Sequence, residues 1–401
     1  MVLAACGMGV ATGQDFGINL PDDDVPGADL PGAVGTRFSV QGLTDSFRES
    51  EGFFYGVGAR GSYNSNLFLD ESGEVDDIIF SLRPWVRYQS AAPGGARLVA
   101  NGFYAPNYEK FTNNPNFDRL NHTLNGSLQL NGARSSVRVQ ASYLRTSSSN
   151  RFAGTFSESS TVTGSISGNY EVSPKTSVAM TWGFTDTEFQ QAAATEFTTY
   201  SAQLTGWWEA TPLVRIGPSL RHTETESTRS GDREAWALLV RGAYSLSDKL
   251  RVNAAAGVET QELTAAGGRT SDGTQFTGSI GANWRLDAIW SFQFGLGYRS
   301  TPSLSTANYY VDNLGFDASV TRNLPKGALE AGFSFDQSDY EQSGPVATPR
   351  EDEKFWSIFA GYQRPLFRDS MSLNSSVRFS ENSGLEDWSN VQLSVGINYV
   401  F

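Results

Sequence analysis

From Phe53 to Phe401 the chain repeats one pattern: apolar and polar residues alternate with a period of two, in pieces of about 10–15 residues. The last piece is the clearest. Val395, Ile397, Tyr399 and Phe401 fall on one face, and Ser394, Gly396 and Asn398 on the other. Successive side chains of a strand point to opposite faces, so each piece predicts a strand with one apolar and one polar side. Eighteen strands are predicted. The first nine lie near 53–67, 77–90, 96–110, 117–131, 135–147, 158–172, 175–189, 196–210 and 213–226. The other nine lie near 233–246, 249–263, 273–286, 289–301, 307–322, 327–340, 352–365, 370–382 and 387–401.

The connections alternate too. After even strands they are short, as at Ser173-Pro174, Thr211-Pro212 and Arg368-Asp369. After odd strands they are longer and polar, as at 68–76, 147–157, 226–233, 263–273 and 341–352. Short periplasmic turns alternating with longer extracellular loops are how outer-membrane barrels are built, and an even strand number returns both ends to the periplasm. The expected fold is therefore all-β: a single antiparallel transmembrane β-barrel of about 18 strands over residues 51–401. The chain ends on Phe401, and Ser394, Gly396, Tyr399 and Phe401 resemble the C-terminal signal read by the outer-membrane barrel assembly machinery.

Composition narrows the function. Of 401 residues, 39% are hydrophobic and 18% charged, and no run of about 18 apolar residues could form a transmembrane helix. A net charge of -13 argues against a nucleic-acid partner. One cysteine, Cys6, allows no internal disulfide, and with His122 and His222 it makes too small a donor set for a zinc site. No cofactor is expected. Residues 1–13 read as the remnant of a secretory signal peptide, with Leu3-Ala4-Ala5-Cys6 also resembling a lipoprotein processing site. Residues 14–50, rich in Asp, Pro and Gly, read as a flexible acidic periplasmic arm. Asp22-Asp23-Asp24 lacks the spaced ligands of a calcium loop and reads as a solvated acidic run.

Parity assigns the faces. Tyr63, Tyr88, Tyr143, Trp182, Trp208, Trp284, Tyr298 and Tyr399 are expected on the lipid side, in two aromatic girdles. His122 and His222 also point outward, away from Ser127 and Ser219, so no Ser–His pair is expected and no enzyme. The inward set is basic: Arg60, Arg83, Arg87, Arg97, Arg138, Arg215, Arg221, Arg241, Arg251, Arg285, Arg299 and Arg378. Asp317, Glu330, Glu259 and Asp336 are the candidate inward acids. A basic lining inside a low-dielectric wall favours anions; the plainer reading is that these arginines fill the lumen paired with acids. Trp85, Trp207 and Phe103 point inward, and packing is preferred over stacking on sugar rings.

The first hairpin carries a family resemblance. Gly52-Phe53-Phe54-Tyr55-Gly56-Val57-Gly58 leads to Tyr63-Asn64-Ser65-Asn66-Leu67-Phe68, then to Ile78-Ile79-Phe80-Ser81-Leu82-Arg83-Pro84. This resembles the β-barrel porin type 2 family of outer-membrane proteins encoded with exopolysaccharide genes. Asn64 stands where that family more often has Asp. The resemblance implies a passive conduit for exopolysaccharide, with periplasmic polysaccharide-export components as partners. A general or anion-selective diffusion porin, and a non-transport structural or adhesive barrel, are the alternatives.

Overall fold

The computed structural model describes residues 33–34, 51–90, 97–150, 155–190, 196–246, 249–264, 270–302, 309–342, 352–367, 370–384 and 387–401. The expected signal remnant, Cys6 and Asp22 to Asp24 lie outside them, as does nearly all of the expected arm. So does the side chain of Arg299.

Eighteen strands form the wall. They are β1 (Gly52–Asn64), β2 (Asp77–Gln89), β3 (Leu98–Phe111), β4 (Arg119–Asn131), β5 (Ser135–Asn150) and β6 (Thr155–Ser173). Next come β7 (Thr176–Phe189), β8 (Phe197–Thr211), β9 (Val214–Ser227), β10 (Asp232–Leu246), β11 (Leu250–Thr264) and β12 (Thr270–Arg285). The last are β13 (Trp290–Pro302), β14 (Tyr309–Leu324), β15 (Gly327–Gln342), β16 (Glu353–Leu366), β17 (Met371–Ser383) and β18 (Trp388–Val400). Each pairs antiparallel with its sequence neighbours, and β18 closes on β1 from Gln392–Asn64 to Val400–Gly56. Closure leaves the sheet no free edge along this line, which a wall facing lipid requires because hydrocarbon offers no hydrogen bonds. The apolar residues at the end of β18 sit on the outer face as expected. Tyr399 and Phe401 pack together there, and Phe401 stacks on Tyr55 with ring centroids 5.6 Å apart.

The faces separate sharply where the wall crosses the membrane. On β10, Trp236, Leu238 and Val240 are exposed outward while Ala235, Ala237 and Leu239 are buried inward. On β2, Ile78, Phe80, Leu82, Val86 and Tyr88 are exposed outward, while Asp77, Arg83, Trp85 and Gln89 are buried inward. Trp85 lies flat on Gly56 of the paired strand. A Cβ there would come within 2.6 Å of the indole and 2.3 Å of the Tyr399 carbonyl oxygen, so only glycine fits.

The loop end is more strongly paired than expected. The connection read as a long loop over 147–157 is mostly ladder: Ser147 pairs with Glu158, Ser148 with Ser157 and Ser149 with Phe156. Small polar side chains look loop-like in sequence. They continue a hairpin without strain once backbone pairing is established below them. A short extended piece, Ala33–Val34, pairs with Asn150 and Ser149 at this same end.

Candidate functional site

The candidate site is the lumen, in particular its loop-side mouth. The segment after β1 does not continue the strand to residue 67 as predicted. It turns inward, with Leu69 at a left-handed φ of 60°. Asn66, fully buried, organises the turn. Its amide nitrogen donates to the Asp70 and Ser389 carbonyls at 2.8 and 3.1 Å, and its side-chain oxygen accepts from the Asp70 N–H at 3.0 Å. The Val391 N–H and the Asn390 side-chain oxygen of the last strand complete the link. Val391 N–H donates to Ser65 Oγ at 2.8 Å, and Asn390 Oδ1 accepts from Ser65 Oγ–H and Asn66 N–H at 3.3 Å each.

Two leucines exploit this anchoring. Leu67 packs with Ile79 and Phe111, with Phe68, Phe117 and Phe156 around them. Leu69 packs with Phe355 and Trp388 on the other side of the β1–β18 seam. The loop thereby narrows the mouth with an apolar bar held from both walls. The neighbouring 112–118 loop is equally fixed. Asp77, completely buried, accepts from the N–H groups of Thr112, Asn113 and Asn114 and from Asn114 Nδ2, at 2.8 to 3.0 Å.

Below the bar lies a charged cluster. Glu109 on β3 accepts from Arg119 Nε at 2.8 Å, from Asn107 Nδ2 at 2.9 Å and from Asn121 Nδ2 at 3.3 Å, with Arg60 3.9 Å away. Arg83 sits one level down, its guanidinium 6.0 Å from the Phe103 ring centre. Arg119 also lies over Phe111 and Phe156 at 4.6 and 4.3 Å, which joins the charged layer to the apolar one. About half the circumference away, Glu259 on β11 pairs with Arg221 and Arg233 from β9 and β10, and Gln275 donates to it. Each cluster sets two or more arginines on one central carboxylate, and Glu341 joins the second cluster through Gln261.

The structure thus brings Arg60, Arg83 and Arg221 into two organised clusters. Arg215 and Arg241 instead flank Trp207 near the turn end, at 5.0 and 5.7 Å. Arg378 donates to Ser357 Oγ and covers Phe359, and Arg87 donates to Gln89 Oε1. Arg138 and Arg251 line the wall half-buried. Arg97 precedes β3 and Arg285 ends β12; both are exposed at the turn rim rather than along the path. Trp85 packs with Ala105, Val400, Phe54 and Phe103, as the packing reading required. His122 and His222 are on the outer face, beside Tyr104 and Glu234.

Sequence reasoning missed Glu109, Arg119 and Asp77. The missed signal was parity on β3: Phe111, Glu109, Asn107 and Ala105 share the inward face. Tyr298 was expected in the lipid girdle. Its hydroxyl instead donates to Gln275 Oε1, 3.1 Å away on an inward-facing side chain. The loop end of β13 lies inside the line of the wall, so parity there no longer means lipid.

Solved barrels of similar shape are numerous. Pseudomonas aeruginosa OccK2 (OpdF), solved in complex with glucuronate, is 11% identical, covering 87% of this chain and 98% of that one with a TM-score of 0.50. Pseudomonas aeruginosa OccK11 (OpdR) is 12% identical over 88% of this chain and 99% of that one, with a TM-score of 0.45. The FrpB iron transporter of Neisseria meningitidis is 9% identical over 90% and 83%, with a TM-score of 0.46. No curated protein sequence matches. The family model that does match, over residues 45–327, is described as TonB dependent receptor-like, beta-barrel. A closed wall with an apolar outer belt, matched by this family model over more than half of the chain, is a protein of the Gram-negative outer membrane, and the chain belongs to the TonB dependent receptor-like β-barrel family.

Proposed function

We propose that the barrel is a passive, anion-preferring channel for small solutes. The observation that carries this is the pair of arginine-rich clusters, around Glu109 and around Glu259, on well-separated parts of one lumen. A small carboxylate passing between them exchanges water for guanidinium donors without binding one site tightly, which is what conduction needs. The narrowed mouth argues for size. An extended polymer needs a clear exit, and Leu67 and Leu69 occupy part of it. That weighs against exopolysaccharide export and the type 2 porin resemblance that suggested it. Glucuronate, the ligand of the OccK2 complex, is a suitable probe because it joins a carboxylate to a small ring.

The test is reversal potential across a planar bilayer under a salt gradient, with glucuronate as the replacement anion. An anion preference that falls when Arg60 and Arg83 are both changed to Gln supports the reading. A cation preference, or no conductance, refutes it.

A further inference from the structure

Among the described residues, the longest opening in the ladder lies between β12 and β13. β12 and β13 pair from Arg285–Ser291 only as far as Ser279–Gly297. Beyond that point β12 stays extended to Thr270, paired with β11, and β13 stays extended to Pro302, paired with β14. The two strands diverge while each remains a strand.

Three contacts locate the diverging side. By parity Tyr298, Tyr310 and Glu341 share the outward face of β13, β14 and β15, the face of lipid-exposed Leu314. Yet Tyr298 donates to Gln275, and Glu341 accepts from Gln261 Nε2 at 3.0 Å. Tyr310, 1% exposed, donates to the Gly231 carbonyl at 3.2 Å. Gln275 and Gln261 lie on the inward face of β12 and β11, beside Glu259. The loop ends of β13 to β15 have therefore slipped inside the wall. On the inward face of β10, the small residues Ala235 and Ala237 are almost fully covered, at 2% and 1% exposure.

The register across the gap is already matched. Continuing Ser279–Gly297 upward sets Gly278 opposite Tyr298, Phe276 opposite Ser300 and Thr274 opposite Pro302. Proline has no N–H to offer, so the ladder would end there. Phe276 is 70% exposed, at the level of the outer belt. Zipping would give the unpaired backbone of both segments ladder partners once the inner contacts release.

We propose that the loop ends of β13–β15 are a gate in the wall, tucked in to narrow the lumen and zipped onto β12 to widen it. The inference rests on the channel reading. Zipping also carries Glu341, and Asp312 beside Tyr298, from the lumen to the outer face, leaving Arg221 and Arg233 to face the solute.

Two cysteine pairs in a Cys6→Ser background separate the states. Phe276→Cys with Ser300→Cys captures the zipped wall, and Gln261→Cys with Glu341→Cys captures the tucked one. Disulfide formation is read by mass on the folded, heat-modifiable barrel, and conductance by planar bilayer before and after reductant. Both pairs are expected to crosslink. The first should raise conductance severalfold and the second lower it severalfold, each reversed by reductant. Failure of the Phe276–Ser300 pair to crosslink overturns the gate, as does a crosslink that leaves conductance unchanged. Crosslinking in both variants with no conductance in any, wild type included, overturns the channel reading while leaving the strand movement supported.

Discussion

The two sides of the lumen are narrowed by opposite means. Around β18 and β1–β4, a loop enters an intact wall and is fastened by buried polar side chains: Asn66 to Ser389 and Asp70, Asn390 to Ser65, Asp77 to three successive backbone N–H groups. Around β9–β15 the wall itself is folded in, and contacts at the strand ends hold it: Gln261 to Glu341, Tyr298 to Gln275 and buried Tyr310 to the Gly231 carbonyl. Buried hydrogen bonds leave unmatched donors when broken and so resist opening. The tucked strands can exchange their contacts for ladder pairs already in register. One narrowing is therefore a fixture and the other is reversible.

The largest effect is expected at the fixture. Asp77→Ala removes the acceptor of three backbone N–H groups, at a cost of at least about 3 kcal/mol. The urea midpoint of the folded barrel should fall, and trypsin should cut around loop 112–118. An unaltered midpoint would show that this loop is not rigid after all. Asn390→Ala is next, at about 2 kcal/mol, because Ser65 and Asn66 lose their shared acceptor. Its channels should conduct more and more noisily; wild-type conductance would deny loop 65–76 its role as the constriction. Glu109→Gln leaves shape nearly unchanged but removes the carboxylate among Arg60, Arg83 and Arg119. The anion-to-cation permeability ratio should rise a fewfold, equivalent to roughly 1 kcal/mol, and a shift toward cations would contradict the electrostatic account. The smallest effect belongs to the reversible side. Glu341→Ala removes the acceptor of Gln261 Nε2 and should cost no more than about 1 kcal/mol of thermal stability, while lengthening open times in single-channel records. Stability losses as large as those of Asn390→Ala would make both narrowings fixtures.

Most of the wall was legible because each strand of an up-and-down barrel pairs with its neighbours in sequence, so local alternation carries the topology. The predicted 77–90 differs from β2 by one residue at its end, and 213–226 from β9 by one residue at each end. Parity also placed Arg60, Arg83 and Arg221 inward. It failed where the chain departs from the regular wall. Leu67 and Leu69 continue the alternation of β1, but the strand ends at Asn64 because Asn66 is captured by the last strand. Tyr298 has the right period for lipid, yet its strand end has moved inside. Both departures depend on partners far away in the chain, which no local window contains. The small residues Ala235 and Ala237, on the inward parity of β10, are buried in the structure.

The link between Ser65–Asn66 and Ser389–Val391 spans more than 320 residues of sequence, from the first hairpin to the opening of the final strand. The Leu69 half of the apolar bar therefore cannot be in place until the last strand has docked, whereas the Leu67 half rests on β2 and β3. The docking that closes the cylinder also completes the narrowing of its mouth. Completion and restriction of the pore are one event, so a barrel stalled before its last strand would be a leak rather than a slow channel.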